Sequence, residues 1–265
     1  YFGSDSNSNI SMAFEARLSG NGKIDSTFKS KGYQILMPAG VSAAINKNNS
    51  HYVLGSADMA TSSVWGVSKN NYSSVILSKW DSTGSLDTTF NHGYQNSYFA
   101  EFKPNNMALQ QNKILAVGFE SSTVFGAFSF PKIKNHIAIL RVDLNGNIDS
   151  TFGTNGKVLT QIDSFTVATD IHVLPNNDFI VVGIHTKPGE NYSSTTIVKY
   201  KADGSLDSSC FDPIYKGSPA GYSVGWFVES TPTIVKVEGN KMLVASVRDS
   251  GNSFGFQLTS YYTKP

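Results

Sequence analysis

Four copies of one short segment, strand-like runs between them and a period near 60 residues together predict an all-β chain built as a β-propeller. The copies are "RLSGNGKIDSTF" (Arg17 to Phe28), "KWDSTGSLDTTF" (Lys79 to Phe90), "RVDLNGNIDSTF" (Arg141 to Phe152) and "KYKADGSLDSSCF" (Lys199 to Phe211). Their aspartates fall at Asp25, Asp87, Asp149 and Asp207, giving spacings of 62, 62 and 58. Each copy carries a basic residue eight positions before that Asp and a Gly three before it. A Phe follows three positions after, or four in the last copy, where Cys210 intrudes. Between copies, "KVLTQI", "ATDIHVL", "FIVVGIHT" and "TTIVKYKA" are short runs of Val, Ile, Thr and aromatics broken by Asn, Gly and Pro, the pattern of strands. Taken in that order they make one four-stranded sheet with "KVLTQI" innermost. "FIVVG" and "IAIL" are apolar at nearly every position, which requires burial on both faces. Sheets stacked face to face meet that requirement.

The repeat divides the chain, read as one domain over 1–265, into a half blade at 1–28 and repeats at 29–90, 91–152, 153–211 and 212–265. The opening "YFGSDSNSNISMAFEARL" and the close "VASVRDSGNSFGFQLTSYY" match the same two strands of a repeat. The expectation is therefore a five-bladed ring whose first inner pair lies upstream of Tyr1. A four-bladed ring with an extra hairpin is the alternative.

Composition narrows the function classes. Charged residues make up 15% and the net charge is +1, so there is no broad basic field for nucleic acid or anionic membrane. Apolar runs stay near five residues, far below the roughly 20 that span a bilayer, and no segment reads as a targeting signal. Cys210 is the lone cysteine, which rules out an internal disulfide and a paired-thiolate metal site. The abundance of Asn, Ser and Tyr suits an exported bacterial protein, at the cell surface or outside the cell, with the periplasm as a variant. N-x-S sequons start at Asn9, Asn48, Asn71 and Asn191 and would matter only in a eukaryotic secretory pathway.

The third copy looks like a calcium loop, with Asp143, Asn145, Asn147 and Asp149 at alternating positions. The other copies argue against it. The place of Asp143 is Ser19, Asp81 and Lys201 elsewhere, and a lysine would repel a cation. What recurs is scaffold: Gly22, Gly84, Gly146 and Gly204 for a turn of positive φ, and an Asp accepting nearby backbone N–H groups. Arg17, Lys79, Arg141 and Lys199 are expected to pair with those aspartates or to cap strand-end carbonyls. Phe28, Phe90, Phe152 and Phe211 would plug the space between sheets. No metal and no cofactor is expected.

The G-x-[IL]-D-x-[ST]-F pattern resembles the delta-60 repeat of bacterial proteins. "DGSLD" (Asp203 to Asp207), "NIDSTFGTNGKV" (Asn147 to Val158), "NNDFIVVG" (Asn176 to Gly183) and "QNKILAVG" (Gln111 to Gly118) carry the likeness, which extends over nearly the whole chain. It implies a β-propeller and supplies no catalytic residues. The fourth copy departs from it at Cys210 and at Ala245, which stands for the strand Gly.

If repeated residues are scaffold, function belongs where the repeats differ. The histidines, His51, His92, His136, His172 and His185, occupy unrelated repeat positions without metal-ligand spacing; His172 and His185 are candidates to meet on adjacent strands. Glu101, Asp163 and Glu229 end the first strand of three repeats; if that strand is innermost, they ring a channel mouth and could serve acid–base chemistry. The variable connections 56–74, 120–136 and 185–194 carry Trp65, Tyr72, Phe125, Phe128, Phe130 and Tyr192, with Trp226 in a further long connection; exposed aromatics among Asn and Ser suit a glycan or a protein surface. The expected function is a non-enzymatic binding module for such a partner, with neither nucleic-acid binding nor membrane insertion. The alternatives are a carbohydrate-active hydrolase using the channel-mouth acids and a scaffold domain of a larger surface protein.

Overall fold

The computed structural model describes residues 3–5, 8–12, 14–29, 31–35, 40–59, 72–93, 96–98, 102–126, 129–162, 165–186, 193–209, 222–228, 230–239, 241–249 and 254–262. Period-two runs of β-branched and aromatic residues form strands throughout them, and the one helical element is a 3-10 turn at Phe90–Gly93. The protein is all-β. It divides into two compact units, 1–104 and 105–265.

In the first unit, β1 (Gly3–Asp5) pairs with β2 (Ser8–Met12), and β3 (Phe14–Ala16) with β4 (Tyr33–Ile35). Strands β5 (Gly40–Lys47), β6 (Ser50–Met59), β7 (Tyr72–Asp81) and β8 (Asn96–Tyr98) then form a four-stranded antiparallel sheet in sequence order. Strand β9 (Phe102–Gln110), which begins in the first unit and enters the second at Asn105, makes the same meander with β10 (Lys113–Gly126), β11 (Ser129–Asp143) and β12 (Lys157–Thr160). Strands β13 (Phe165–Val173), β14 (Phe179–Thr186), β15 (Ser194–Tyr200) and β16 (Tyr222–Val228) make it again, joined to the previous sheet by the parallel pair Asn135 and Phe165. A three-stranded sheet of β17 (Ser230–Glu238), β18 (Lys241–Asp249) and β19 (Phe254–Tyr262) follows.

One expectation about strand order is corrected. "KVLTQI" does not open a sheet: β12 pairs backward onto β11, with Ile137 opposite Thr160 and Leu140 opposite Lys157. The strand after each signature turn therefore closes the preceding meander. The first strand of each meander is the later one, β5, β9, β13 or β17. Strand periodicity carries no information about which neighbour a strand pairs with, and the short signature turn brings the chain straight back onto the strand it has just left.

Burial on both faces is present where "FIVVG" requires it. On one side of the β13–β15 sheet, Phe179, Val181, Val198 and Tyr200 pack with Leu115, Val117, Ile137, Ile139 and Phe152. On the other side, Ile180, Val182 and Ile197 pack with Val235, Met242 and Val244. Each fully buried side chain of this size stabilises by about 1.5–3 kcal/mol, so this doubly covered sheet anchors the second unit.

A bulge recurs in the first strands. The register skips between Val41 and Ala43, between Ala168 and Asp170, and between Pro232 and Ile234. Opposite the residue before each skip stand Gly55, Gly183 and Ser246. The residue at the strand-Gly position in the last copy is thus Ser246, and Ala245 is its neighbour, a correction to the alignment made from sequence. At Gly183 a Cβ would lie 2.2 Å from the Val167 carbonyl oxygen, so the bulge leaves room only for hydrogen there.

Candidate functional site

The four signature turns share one geometry. One oxygen of each aspartate accepts a backbone N–H and a hydroxyl two residues on: Thr27 for Asp25, Thr89 for Asp87, Thr151 for Asp149 and Ser209 for Asp207. The other oxygen takes a cation eight residues back. Arg17 Nε stands 2.8 Å from Asp25, Lys79 Nζ 3.0 Å from Asp87, Arg141 Nε 2.8 Å from Asp149 and Lys199 Nζ 2.8 Å from Asp207. Lys113 adds a second cation to Asp149 at 2.9 Å. The hydroxyl of Thr89 and the ammonium of Lys79 hold the pKa of Asp87 down at about 2. Burial works against ionisation of Asp207, yet Lys199 and Ser209 overcome it and the pKa again falls to about 2. Asp149 follows the same logic and lies below the usual carboxylate range.

Phe28 and Phe152 sit beneath the guanidinium groups of Arg17 and Arg141, 5.0 and 4.4 Å from ring centroid to Cζ. Each ring also meets the next turn, because a Cβ at Gly84 would lie 2.5 Å from Phe28 and one at Gly204 2.7 Å from Phe152. The arginines reach onward as well: Arg17 donates to the Ser82 carbonyl at 3.1 Å and Arg141 to that of Ala202 at 2.7 Å. Asp143, which suggested calcium, accepts Asn145 N–H, Asn147 N–H and the Asn147 amide. These oxygens face donors in the manner of a turn, whereas a coordination shell would gather about six to eight of them around one point.

A second constellation joins first strands at their bulges. In the first unit Ser42 Oγ donates to the Pro104 carbonyl at 2.8 Å. In the second, Asn105 donates to the Ala168 carbonyl at 2.7 Å, Asn106 donates to Asp170 Oδ1 at 2.6 Å, and the Val235 N–H donates to Asp170 Oδ2 at 2.7 Å. Asp170 is buried; burial raises its pKa, only partly offset by the N–H groups of Val235 and Ile171. The signal for it in the sequence was a carboxylate inside the apolar run "VATDIHVL", and it was passed over. His172 beside it has a lowered pKa, from burial first and from Lys236 second.

The predicted site residues are placed unevenly. Trp65, Phe128, Tyr192, Phe211, Glu101, Asp163 and Glu229 lie outside the described residues. In sequence the three acids come just before β9, β13 and β17, and the described strands that precede them are the last of their meanders. Tyr72 opens β7 and Trp226 lies in β16. Phe125 and Phe130 are strand residues near the tip of the β10–β11 hairpin, whose pairing runs from Lys113–Asp143 out to Gly126–Ser129. The segment read as a variable connection is thus largely a paired arm. His172 and His185 are not neighbours: they stand opposite Ile180 and Thr166, at different ends of the β13–β14 ladder.

The described residues do hold an open pocket of about 350 Å³ in the first unit, lined by Asn46, Lys47, Asn48, Asn49, Ser50, His51 and Ser82. It forms at the β5–β6 turn, where Asn48 and Asn49 both take positive φ, 52° and 58°, as a two-residue hairpin turn demands. His51 stands opposite Trp80, the rings stacked at 7° with centroids 6.3 Å apart. At the same position the other meanders place Ile114 with Val142 and Phe179 with Tyr200. His51 Nε2 also meets Glu15 at 3.0 Å, and Gln34 Nε2 donates to the same carboxylate at 2.6 Å. Burial opposes the ionisation of Glu15, but the bonds from His51 and Gln34 prevail and its pKa is lowered. No family model matches the chain, and no curated protein matches it.

Proposed function

We propose that the chain is a β-propeller of four-stranded blades, five in the full ring, of the delta-60 repeat kind, acting as a non-enzymatic glycan-binding module of an exported bacterial protein. The ring is supported by hydrogen bonds linking first strands about one period apart, from Asn105 to Ala168, from Asn106 to Asp170 and from Asp170 to Val235. It is supported as well by the doubly covered β13–β15 sheet.

The observation that carries the binding reading is the pocket at the β5–β6 turn. Three asparagines, two serines, a histidine and a lysine line the site, which is at the lower end of the roughly 300–1,000 Å³ typical of ligand pockets. Such a lining matches the hydroxyl-rich surface of a sugar better than the broad face of a protein. The described acids of the repeat are already tied to donors, so they hold turns together and are not poised for proton transfer.

Screening the protein on a glycan array, beside hydrolase assays on the same preparation, tests this. Retention of a glycan without turnover is the expected result. Turnover would favour the hydrolase reading, and a blank array the scaffold reading. Replacing Phe125, Phe128 and Phe130 together by Ser should leave capture intact; its loss would move the site to the β10–β11 arm.

A further inference from the structure

We propose that the pocket at the β5–β6 turn takes an acidic saccharide, with the Lys47 ammonium meeting the ligand's carboxylate. The proposal rests on the glycan-binding reading above and names its ligand class. Two hairpins of the same design, β5–β6 and β9–β10, differ here. The last residue of β9 is Gln110, the counterpart of Lys47 at the end of β5. Gln110 is buried and fully used: its amide donates to the carbonyls of Asn177 and Ala202 at 2.7 and 3.1 Å, and its oxygen accepts Arg141 Nη1 at 2.8 Å. That hairpin is sealed onto its neighbours.

The first hairpin departs from this at two places at once. The position of Arg141 is held by Lys79, whose ammonium is engaged by Asp87. The position of Gln110 is held by Lys47, an ammonium that has no oxygen with which to accept as Gln110 does. The half-buried Lys47 thus lines the pocket where the equivalent residue of the other hairpin is an amide that closes it.

Electrostatics within the pocket point the same way. The residues that line it include one lysine and no acid. Two acids stand beside it: Glu15 reaches the His51 imidazole with Gln34 already bonded to it, and Asp81, opposite Ser50, accepts from Thr83 and Ser85 within its own turn. Glu15 therefore fixes the ring against Trp80 and is not itself part of the lining. Asn46, Asn48, Asn49 and Ser50 supply amide and hydroxyl groups suited to sugar hydroxyls, and the positive-φ turn sets two of them in place before any ligand arrives. A cation beside such groups selects a sugar that carries a carboxylate over a neutral one.

Isothermal titration of the full chain would test this with trigalacturonate, sialyllactose and a hyaluronan fragment, against methyl-esterified trigalacturonate and lactose as neutral counterparts. Lys47→Gln removes the charge; Lys241→Gln, at an exposed lysine that opens β18, is the control with the same change in net charge. At least one acidic probe should bind the wild type, and Lys47→Gln should weaken it by about tenfold or more. Lys241→Gln should leave it unchanged, and the neutral counterpart should bind the wild type as weakly as the acidic probe binds Lys47→Gln. Equal affinity of both variants, or of acidic and neutral probes, overturns the proposal. Neutral glycans captured on the array with no acidic probe bound would defeat this inference alone; an array with no capture at all would defeat the binding reading beneath it.

Discussion

Arg141 and Asp149 form a nearly enclosed ion pair, Nε to Oδ2 at 2.8 Å with side chains 11% and 6% exposed, whereas the equivalent Arg17 and Asp25 keep 41% and 27% exposure at the same distance. One motif thus appears in two dielectric settings within one chain. Removing one partner of a buried pair strands the other, at about 3–5 kcal/mol; an exposed pair is screened by solvent and contributes little. Asp149→Ala should therefore lower the denaturant midpoint strongly and Asp25→Ala barely. Equal losses in urea unfolding would contradict this difference in setting.

The arginine fork contributes separately from its charge. Arg141 bonds Asp149, Gln110 and the Ala202 carbonyl together, and an ammonium at the same place cannot reach all three. Arg141→Lys should cost about 1–3 kcal/mol by leaving buried acceptors unsatisfied. A variant as stable as the wild type in the same titration would show that the cross-turn bonds contribute nothing.

Two glycines separate conformation from packing. Gly22 and Gly204 both have positive φ, 80° and 90°, but a Cβ at Gly22 meets nothing within 4 Å, whereas at Gly204 it would strike Phe152 and Val158 at 2.7 Å. Gly22→Ala should cost about 1–2 kcal/mol for the left-handed backbone alone. Gly204→Ala should cost that plus about 1–3 kcal/mol of overpacking. Thermal melts of the two variants give the comparison, and matching melting temperatures would mean that the Phe152 ring moves aside freely.

Acid should destabilise the fold through the signature turns. Asp87 and Asp207 have pKa values of about 2 against an ordinary 3.8. Their contribution is complete above the unfolded value and is lost as the pH falls through 3.8 toward 2. Asp170, raised by burial, has the opposite sign: its contribution is present at low pH and is lost as pH rises through its folded value. Asp207→Asn should flatten the stability profile between pH 4 and 2, measured as the urea midpoint against pH. An unchanged slope would show that this carboxylate is not stabilised in the folded state.

Much of this was legible in the chain because it is local. Gly three residues before Asp, and Thr or Ser two residues after it, specify a turn through bonds spanning a few positions, so Asp25, Asp87, Asp149 and Asp207 could be assigned from spacing alone. The frame of the sheets was not legible. Whether "KVLT" opens one sheet or closes another depends on its pairing with Ile137 to Leu140, a choice between two neighbours that the alternation of its own residues does not encode. The pocket was missed for a related reason. His51 and Lys47 look ordinary in sequence, and they stand out only in comparison with Ile114 and Gln110, the residues at the same positions of the next meander.

What the sequence determined by itself is the all-β character, the period and the chemistry of the repeated turn, because hydrophobic alternation and short-range hydrogen bonding are written residue by residue. What only the tertiary structure decided is which strands lie side by side, that Asp170 bonds both Asn106 and Val235, and that one hairpin is left open where another is closed. Those outcomes depend on groups some 60 residues apart meeting in space, and the free energy of such meetings belongs to the packed arrangement and to no single segment.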